Sequence, residues 1–309
     1  MVKLGKRRAK DEASILTQRT KSEKVIYGVV FVVFALYSAA LLYPLIYLLV
    51  NSFQDPTVYL DNRVQGGHSP FELPSVWRLQ NYADAMKMCF YDTLGKPIYL
   101  PEMFFNSLWY CIIAVGGQVF MSCCTGYVMS KYQFKGREVI YAVVIFSMTI
   151  PVVGNMGAGF KLISDLGVYN SPLYLLTVVF GGWGFNFMVM YAFFKNISWS
   201  YAEAVFIDGG GHFSAFFKVM LPQAKMSVVT LVIVAFIDRW NDYTTPLLYL
   251  PDYPTLASGL YQLKLTAFRA SNVPYYFAGL MISVLPVVAL YACFSDIIMK
   301  NFSIGGLKG

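Results

Sequence analysis

An all-α membrane protein with six transmembrane helices is the fold class that the sequence predicts, on three observations. The 309-residue chain is 57% hydrophobic and only 13% charged, whereas soluble domains carry about 25% charged residues. Residues 25–50, 103–130, 139–160 and 166–194 contain no Asp, Glu, Lys or Arg. Each could cross a hydrocarbon core of about 30 Å, which takes about 20 apolar residues of helix. Two further stretches, about 226–250 and 274–299, are apolar with a few charges. The mean hydropathy of +0.53 agrees. Barrel strands would alternate apolar and polar residues in segments of about ten, a pattern this chain lacks. The first span exceeds the 7–15 apolar residues of a signal core, so it reads as a retained anchor.

Charge asymmetry sets the expected orientation. The first 24 residues hold Lys3, Lys6, Arg7, Arg8, Lys10, Arg19, Lys21 and Lys24 against three acids, while 52–102 holds four basic and six acidic residues. By the positive-inside rule the N-terminus is cytoplasmic and the 52–102 loop external. An even number of crossings returns the C-terminus to the cytoplasm. Lys131, Lys135 and Arg137 then fall inside as the count requires, and so does the 195–225 loop. The net charge of +7 sits mainly in the tail beside the membrane, which points to anionic lipid and topology rather than to nucleic acid. Five cysteines form no disulfide framework and no metal spacing, and the two histidines, His68 and His212, are far apart. No metal site is expected.

Three pieces follow: a basic tail over 1–24, a membrane domain over 25–300 and a C-terminal tail over 301–309. The external loop is too small for a catalytic domain, and its Asn81–Met88 portion is expected to form a short surface helix. Breakers interrupt the spans: Pro151, Gly154, Gly157 and Gly159 in the third, Gly181, Gly182 and Gly184 in the fourth, Pro286 in the sixth. Such residues either line a wet cavity, where freed backbone groups find partners, or let helices pack closely.

The inner loop is the most informative segment. Ser200 stands three residues before Glu203, a capping-box spacing, so a short helix is expected from about Tyr201 to Asp208. Gly209-Gly210-Gly211 must stop it, since each glycine costs about 1 kcal/mol in a helix relative to alanine. A second short helix is expected from His212 or Phe213, ending before Leu221-Pro222. The pair makes a projecting knob carrying Ala202, Val205, Phe206, Phe213, Phe216 and Phe217. Exposed apolar surface there would mark a protein partner; the other reading is that these side chains pack back on the protein's own helix ends.

Glu203, Ala204, Asp208, Gly209, Phe216, Leu221 and Pro222 stand at the spacing of the "EAA" motif, and the loop resembles the coupling loop of permease subunits in ABC importers. Val205 and Gly210 replace the motif's usual alanines. The resemblance extends over roughly 75–309, through Asn106-Ser107, Tyr127 with Ser130, Pro151, Leu166-Gly167, Asn170-Ser171, Phe193-Phe194, Trp240-Asn241-Asp242 and the Gly305–Gly309 tail. It is specific to carbohydrate, maltose-importer-like permeases. It implies the type I importer fold with a cytoplasmic coupling-helix loop, in a bacterial plasma (inner) membrane with both termini cytoplasmic. It implies a second, different permease subunit, an ATPase dimer gripping the loop, and an extracytoplasmic sugar-binding protein. ATP and Mg would be bound by the ATPase and no cofactor by this chain, which lacks a Walker lysine motif and is not expected to be an enzyme.

Asp238, Arg239 and Asp242 lie in the fifth span, where each charge costs about 2.5–3.5 kcal/mol unless it faces protein or water. Arg239 and Asp242 share a helix face and can pair, with Asp238 held by a partner permease. Alternatively Arg239, Trp240, Asn241, Asp242 and Tyr243 line a substrate pathway, since aromatic faces with amides and carboxylates suit sugars. An ion-coupled carrier using Asp238 and Asp242 is the rival from another class. An importer of a non-sugar solute is the rival within the class.

Overall fold

The computed structural model describes residues 21–64, 73–149, 155–269 and 272–304. In chain order the elements are α1 Lys21–Ser52, α2 Pro56–Val64, α3 Gln80–Ala85, β1 Cys89–Tyr91 and β2 Pro97–Tyr99. Then come α4 Leu100–Lys131, α5 Arg137–Thr149, α6 Asn155–Asp165, α7 Tyr174–Phe180 and α8 Phe185–Asn196. The rest are α9 Ser200–Ile207, α10 His212–Gln223 and α11 Lys225–Asn241, α12 Thr244–Tyr249, α13 Leu256–Arg269 and α14 Val273–Ile304. The protein is therefore mostly helical, with one small antiparallel hairpin, β1–β2, that the all-α expectation did not contain.

Four spans among the described residues are long and apolar enough to cross a membrane: Ser22–Ser52, Leu100–Lys131, Tyr174–Asn196 and Val273–Ser295. The bent pair α10–α11 makes a fifth. The third expected span, 139–160, appears as α5 and α6; Pro151 and Gly154, expected to break it, lie outside the described residues. The fifth expected span ends early, because α11 stops at Asn241 and the chain restarts in α12. Its 17 residues reach only about 25 Å at 1.5 Å per residue. Pro286 lies inside a continuous α14.

The centre of the bundle is α4, packed against α7, α8, α11 and α13, while α14 packs on α1, α3, α11 and α13. Small residues allow the closest approaches, as expected where lipid supplies no hydrophobic drive between helices. A Cβ at Gly126 would lie 2.9 Å from the Met190 side chain and the Tyr191 backbone, and one at Gly117 2.3 Å from Val179. Gly182 approaches α4 in the same way, and its carbonyl accepts a 2.7 Å bond from the Ser122 hydroxyl. Asn106 and Ser107, near the start of α4, also serve packing. The Asn106 amide donates to the Pro254 carbonyl at 3.1 Å, and the Ser107 hydroxyl accepts the Leu256 N–H at 2.7 Å.

At the N-terminal end of α4 the short helix expected at the surface over Asn81–Met88 is instead docked. Asn81 is fully buried and its amide donates to the Ser52 and Gln54 carbonyls, both at 2.8 Å. Its position therefore answers the carbonyls left open at the end of α1. Nearby, Asp252 ties three segments together. It accepts the Thr93 N–H and hydroxyl, each at 2.9 Å, and the Asn170 amide, while its own N–H donates to Asn170 at 3.0 Å.

Candidate functional site: the elbow and the end of α11

At the opposite end of α4 the chain folds into an elbow. Trp199 already has helical dihedrals, so α9 starts at Ser200. The expected capping box does not form: the Ser200 hydroxyl bonds Ser198 at 2.7 Å, and the Glu203 N–H donates to the Trp199 carbonyl at 3.2 Å. Ser200 lies within the first turn rather than before it, and its hydroxyl cannot reach forward to an open amide. The carboxylate of Glu203 is thereby left uncommitted among the described residues.

Gly209 ends α9 with φ +81, a left-handed conformation that glycine adopts without a Cβ penalty. Its N–H donates to the Phe206 carbonyl at 3.1 Å and that of Gly210 to the Val205 carbonyl at 2.8 Å, the paired bonds of a Schellman turn. Val205 and Gly210 are complementary. A Cβ at Gly210 would fall 2.5 Å from Val205 Cγ1, so the valine fills the space that an alanine at 210 would occupy.

The second elbow helix, α10, begins at His212 as expected but does not stop before Leu221-Pro222. It widens to a π-helical stretch over Ala215–Met220 and continues to Gln223. Pro222 is tolerated because it opens a new turn, where its missing N–H has no partner to lose. The sharp bend, 74°, comes at Ala224 between α10 and α11.

The loop's apolar side chains divide between those that pack back on the protein's own helix ends and those that stay exposed. Phe216 is buried, its ring 4.9 Å from Tyr127 and 6.4 Å from Phe194. Ala202, Ala215, Met220 and Ala224 are buried with it. His212 bonds Tyr132 at 2.8 Å, and its ring lies 4.9 Å from Phe206, which faces Trp199. Lys131 donates to the Ile197 carbonyl. These contacts anchor the elbow on the end of α4. In contrast, Glu203, Ala204, Asp208, Gly209 and Pro222 are exposed and Leu221 is half-buried. Ile207 and Phe213 stand 85% and 81% exposed at the tip. Ile207 escaped sequence reasoning because its neighbours have the same apolar character; only the helix phase separates it from Phe206.

The end of α11 behaves differently. Arg239 reaches Asp242 at 3.5 Å, with side chains only 22% and 18% exposed, and approaches Gln118 at 3.5 Å. Asp242 also accepts the Thr245 N–H at 3.0 Å and lies 3.5 Å from the Tyr110 hydroxyl. It therefore closes α11 and caps the start of α12. Trp240 is 3% exposed, stacked on Phe236 at 5.5 Å, with its indole N–H donated to the Ser283 carbonyl at 3.0 Å. It is a core residue, wedged between α11 and α14. Asn241 is exposed and, among the described residues, its side chain bonds only back to Ile237, while Tyr243 is exposed and stacked on Tyr261 at 4.6 Å. Of the five residues expected on a pathway, these two alone present themselves. Asp238, one residue before the pair, is exposed and makes no hydrogen bond or ion pair among the described residues.

A bundle of apolar helices carrying an anchored but protruding helical elbow is the architecture of a membrane transport subunit. The chain belongs to the family of inner membrane components of binding-protein-dependent transport systems, whose model matches residues 118–303. It is a permease subunit of the ABC-importer class, as its sequence resemblance implied. Among its relatives, the diacetylchitobiose uptake system permease protein NgcG of Streptomyces coelicolor is 28% identical over 88% of this chain and 86% of the relative. The arabinooligosaccharides transport system permease protein AraQ of Halalkalibacterium halodurans is 27% identical over 94% and 100%. A solved bacterial ABC transporter involved in import of the acidic polysaccharide alginate shares the fold. Its TM-score is 0.71 and its identity 21%, covering 90% of this chain and 98% of that one.

Proposed function

We propose that this chain is half of the translocation pathway of an ATP-driven oligosaccharide importer in a bacterial plasma membrane. The carbohydrate class is supported by relatives whose names specify diacetylchitobiose and arabino-oligosaccharides. In this reading the 25–300 region crosses the membrane six times, with α5 and α6 together as the third crossing. Both termini and the 195–225 loop face the cytoplasm, and 52–102 faces outward. A second, different permease completes the pathway, a binding protein delivers the sugar from outside, and an ATPase dimer holding ATP and Mg drives it. This chain binds no cofactor.

One observation carries the coupling role: at the elbow, the side chains of the motif that do not build the fold are left outside it. Phe216 and the half-buried Leu221 hold the elbow in shape, and Gly209 and Pro222 set its turns. Glu203, Ala204 and Asp208 remain available to an ATPase cleft, flanked by Ile207 and Phe213. Exposed apolar and charged groups on a rigid knob are what a docking partner requires. Closure of the ATPase dimer would move the elbow, and its anchors on α4 would pass that motion to the centre of the bundle. At the end of α11, Asn241 and Tyr243 face the pathway while Arg239, Trp240 and Asp242 hold the helix in place.

The test is Glu203→Lys, with the protein tagged and purified together with its companions. The exposed position predicts a folding stability unchanged within the scatter of surface substitutions, about 0.5 kcal/mol, as read by thermal unfolding. Co-purifying ATPase should fall sharply and ATP-driven uptake with it. Normal uptake by this variant, or a wild-type protein that never brings down an ATP-hydrolysing companion, would remove the coupling assignment.

A further inference from the structure

Between the break in the α7–α8 span and the side of α11 lies a small polar cleft of about 240 Å³. Gln118 of α4, Trp183, Phe185 and Asn186 at the start of α8, and Asp238 of α11 line it. Gly184 also lines it, and its φ of +155 is a conformation essentially confined to glycine. That residue separates α7 from α8 with open space where a Cβ would stand. Gly182 beside it does the opposite and packs tightly on α4. The glycines of this span thus divide, one packed on α4 and one beside open space.

Gln118 already meets Arg239 at 3.5 Å and the Trp183 ring lies 5.2 Å from that of Phe187, but the two other polar side chains of the cleft are unspent. Neither Asp238 nor Asn186 makes a side-chain hydrogen bond among the described residues. Trp183 and Phe185 are exposed, at 41% and 65%. A carboxylate in that condition within an apolar span costs about 2.5–3.5 kcal/mol if it meets lipid, so this face meets water, a ligand or another protein chain. The chemistry of the set favours a ligand with many hydroxyls. A carboxylate and two amides accept and donate to hydroxyl groups, and two aromatic rings supply apolar faces.

We propose that this cleft is a hydroxyl-binding subsite for the transported oligosaccharide. Asp238, Asn186 and Gln118 hold hydroxyl groups of one sugar unit, and Trp183 or Phe185 lies against its ring. The inference rests on the carbohydrate-importer reading and adds to it a contact by this subunit, one residue away from the Arg239–Tyr243 stretch. The volume is below the roughly 300–1,000 Å³ of sites that enclose a whole small molecule. One segment of a longer chain fits it, which suits a site that a polymer passes through.

The experiment uses the complete complex, purified through a tag on this chain and reconstituted in vesicles with its binding protein. Maltotriose, diacetylchitobiose and arabinotriose are offered, and the sugar taken up by the wild type becomes the probe. Asp238→Asn and Asn186→Ala should each lower uptake per ATP hydrolysed by about tenfold or more, the value of a hydrogen bond to a charged or buried polar group. The ATPase and partner permease should still co-purify. Trp183→Ala should lower uptake and Trp183→Phe should restore most of it, because phenylalanine keeps the ring face. Unchanged uptake in both polar variants overturns the subsite. Loss of the partner permease on Asp238→Asn also overturns it, by assigning the cleft to an interface between subunits. If the wild type hydrolyses ATP with its companions but imports none of the three sugars, the carbohydrate reading and the subsite fall together, while the coupling elbow stands.

Discussion

The elbow and the end of α11 both carry a charged, aromatic-rich run of similar length, and they use it in opposite ways. In the elbow, backbone hydrogen bonds complete the turn at Gly209-Gly210, which frees the side chains of Glu203 and Asp208. At the end of α11, the side chains do the completing: Asp242 caps the next helix and pairs with Arg239, and Trp240 fills the core. A polar residue near a helix end therefore acts on a partner only if the backbone has not already recruited it. The physical reason is the set of open amides and carbonyls at every helix terminus, which must be satisfied by something.

The largest effect that could break this contrast is Trp240→Ala. A fully packed indole should cost about 3–5 kcal/mol, seen as loss of assembled complex from the membrane fraction, whereas Asn241→Ala should assemble normally. An assembled Trp240→Ala complex with lost uptake would instead return Trp240 to the pathway. Next in size, Asp242→Asn removes the ion pair while retaining an acceptor for the Thr245 N–H. It should lower stability by about 1–2 kcal/mol, since a partly buried guanidinium loses its anion, as read by thermal unfolding of the purified complex. Glu203→Gln in the same assay should change nothing.

A smaller effect sharpens the account of the turn. Gly210→Ala pushes a methyl group against Val205 and should cost about 1–3 kcal/mol, the usual range for overpacking. The double variant Val205→Ala with Gly210→Ala should recover most of it, and a double-mutant cycle in uptake and stability measures the coupling. Additive losses would show that the two sites do not share the space.

Acidification is the mildest probe, and it tests the polar tie just beyond α12. Burial raises the Asp252 carboxyl, but the Thr93 N–H, the Asn170 amide and the Thr93 hydroxyl together outweigh it and leave it below its ordinary 3.8. A carboxylate lowered in the folded state contributes stability that is fully present above its unfolded value and lost as pH falls through its folded one. The tie should therefore hold throughout the neutral and mildly acidic range. Only below 3.8 should the hairpin loosen, as followed by proteolysis at the β1–β2 turn. Release at pH 5 would contradict the direction of the shift.

Much of this was legible in the residues. Long apolar runs mark α1, α4 and α14 because a bilayer demands apolar length whatever the neighbours are. Gly209 marks its own turn because few other residues accept that backbone. The misreadings share one cause. Ser200 matched a capping spacing, but Trp199 had already entered the helix, so the phase was off by one residue. Asn81 looked like a surface polar residue, yet it serves carbonyls on Ser52 and Gln54 that no local pattern announces. The five residues of the α11 end could not be sorted into wall and core, since that depends on α14 and on the position of Tyr110.

Local chemistry alone marked α1, α4, the α7–α8 span and α14 as apolar enough to span, the place where the elbow turns, and the family to which the chain belongs. Three-dimensional packing settled which of the flagged side chains are spent. It put Trp240 and Phe216 inside, left Glu203 and Asp238 without partners among the described residues, and packed Gly182 on α4 while leaving open space at Gly184. Covalent character and backbone preference travel with each residue along the chain. Burial and pairing belong to neighbours that are distant in sequence, and they exist only once the helices have met.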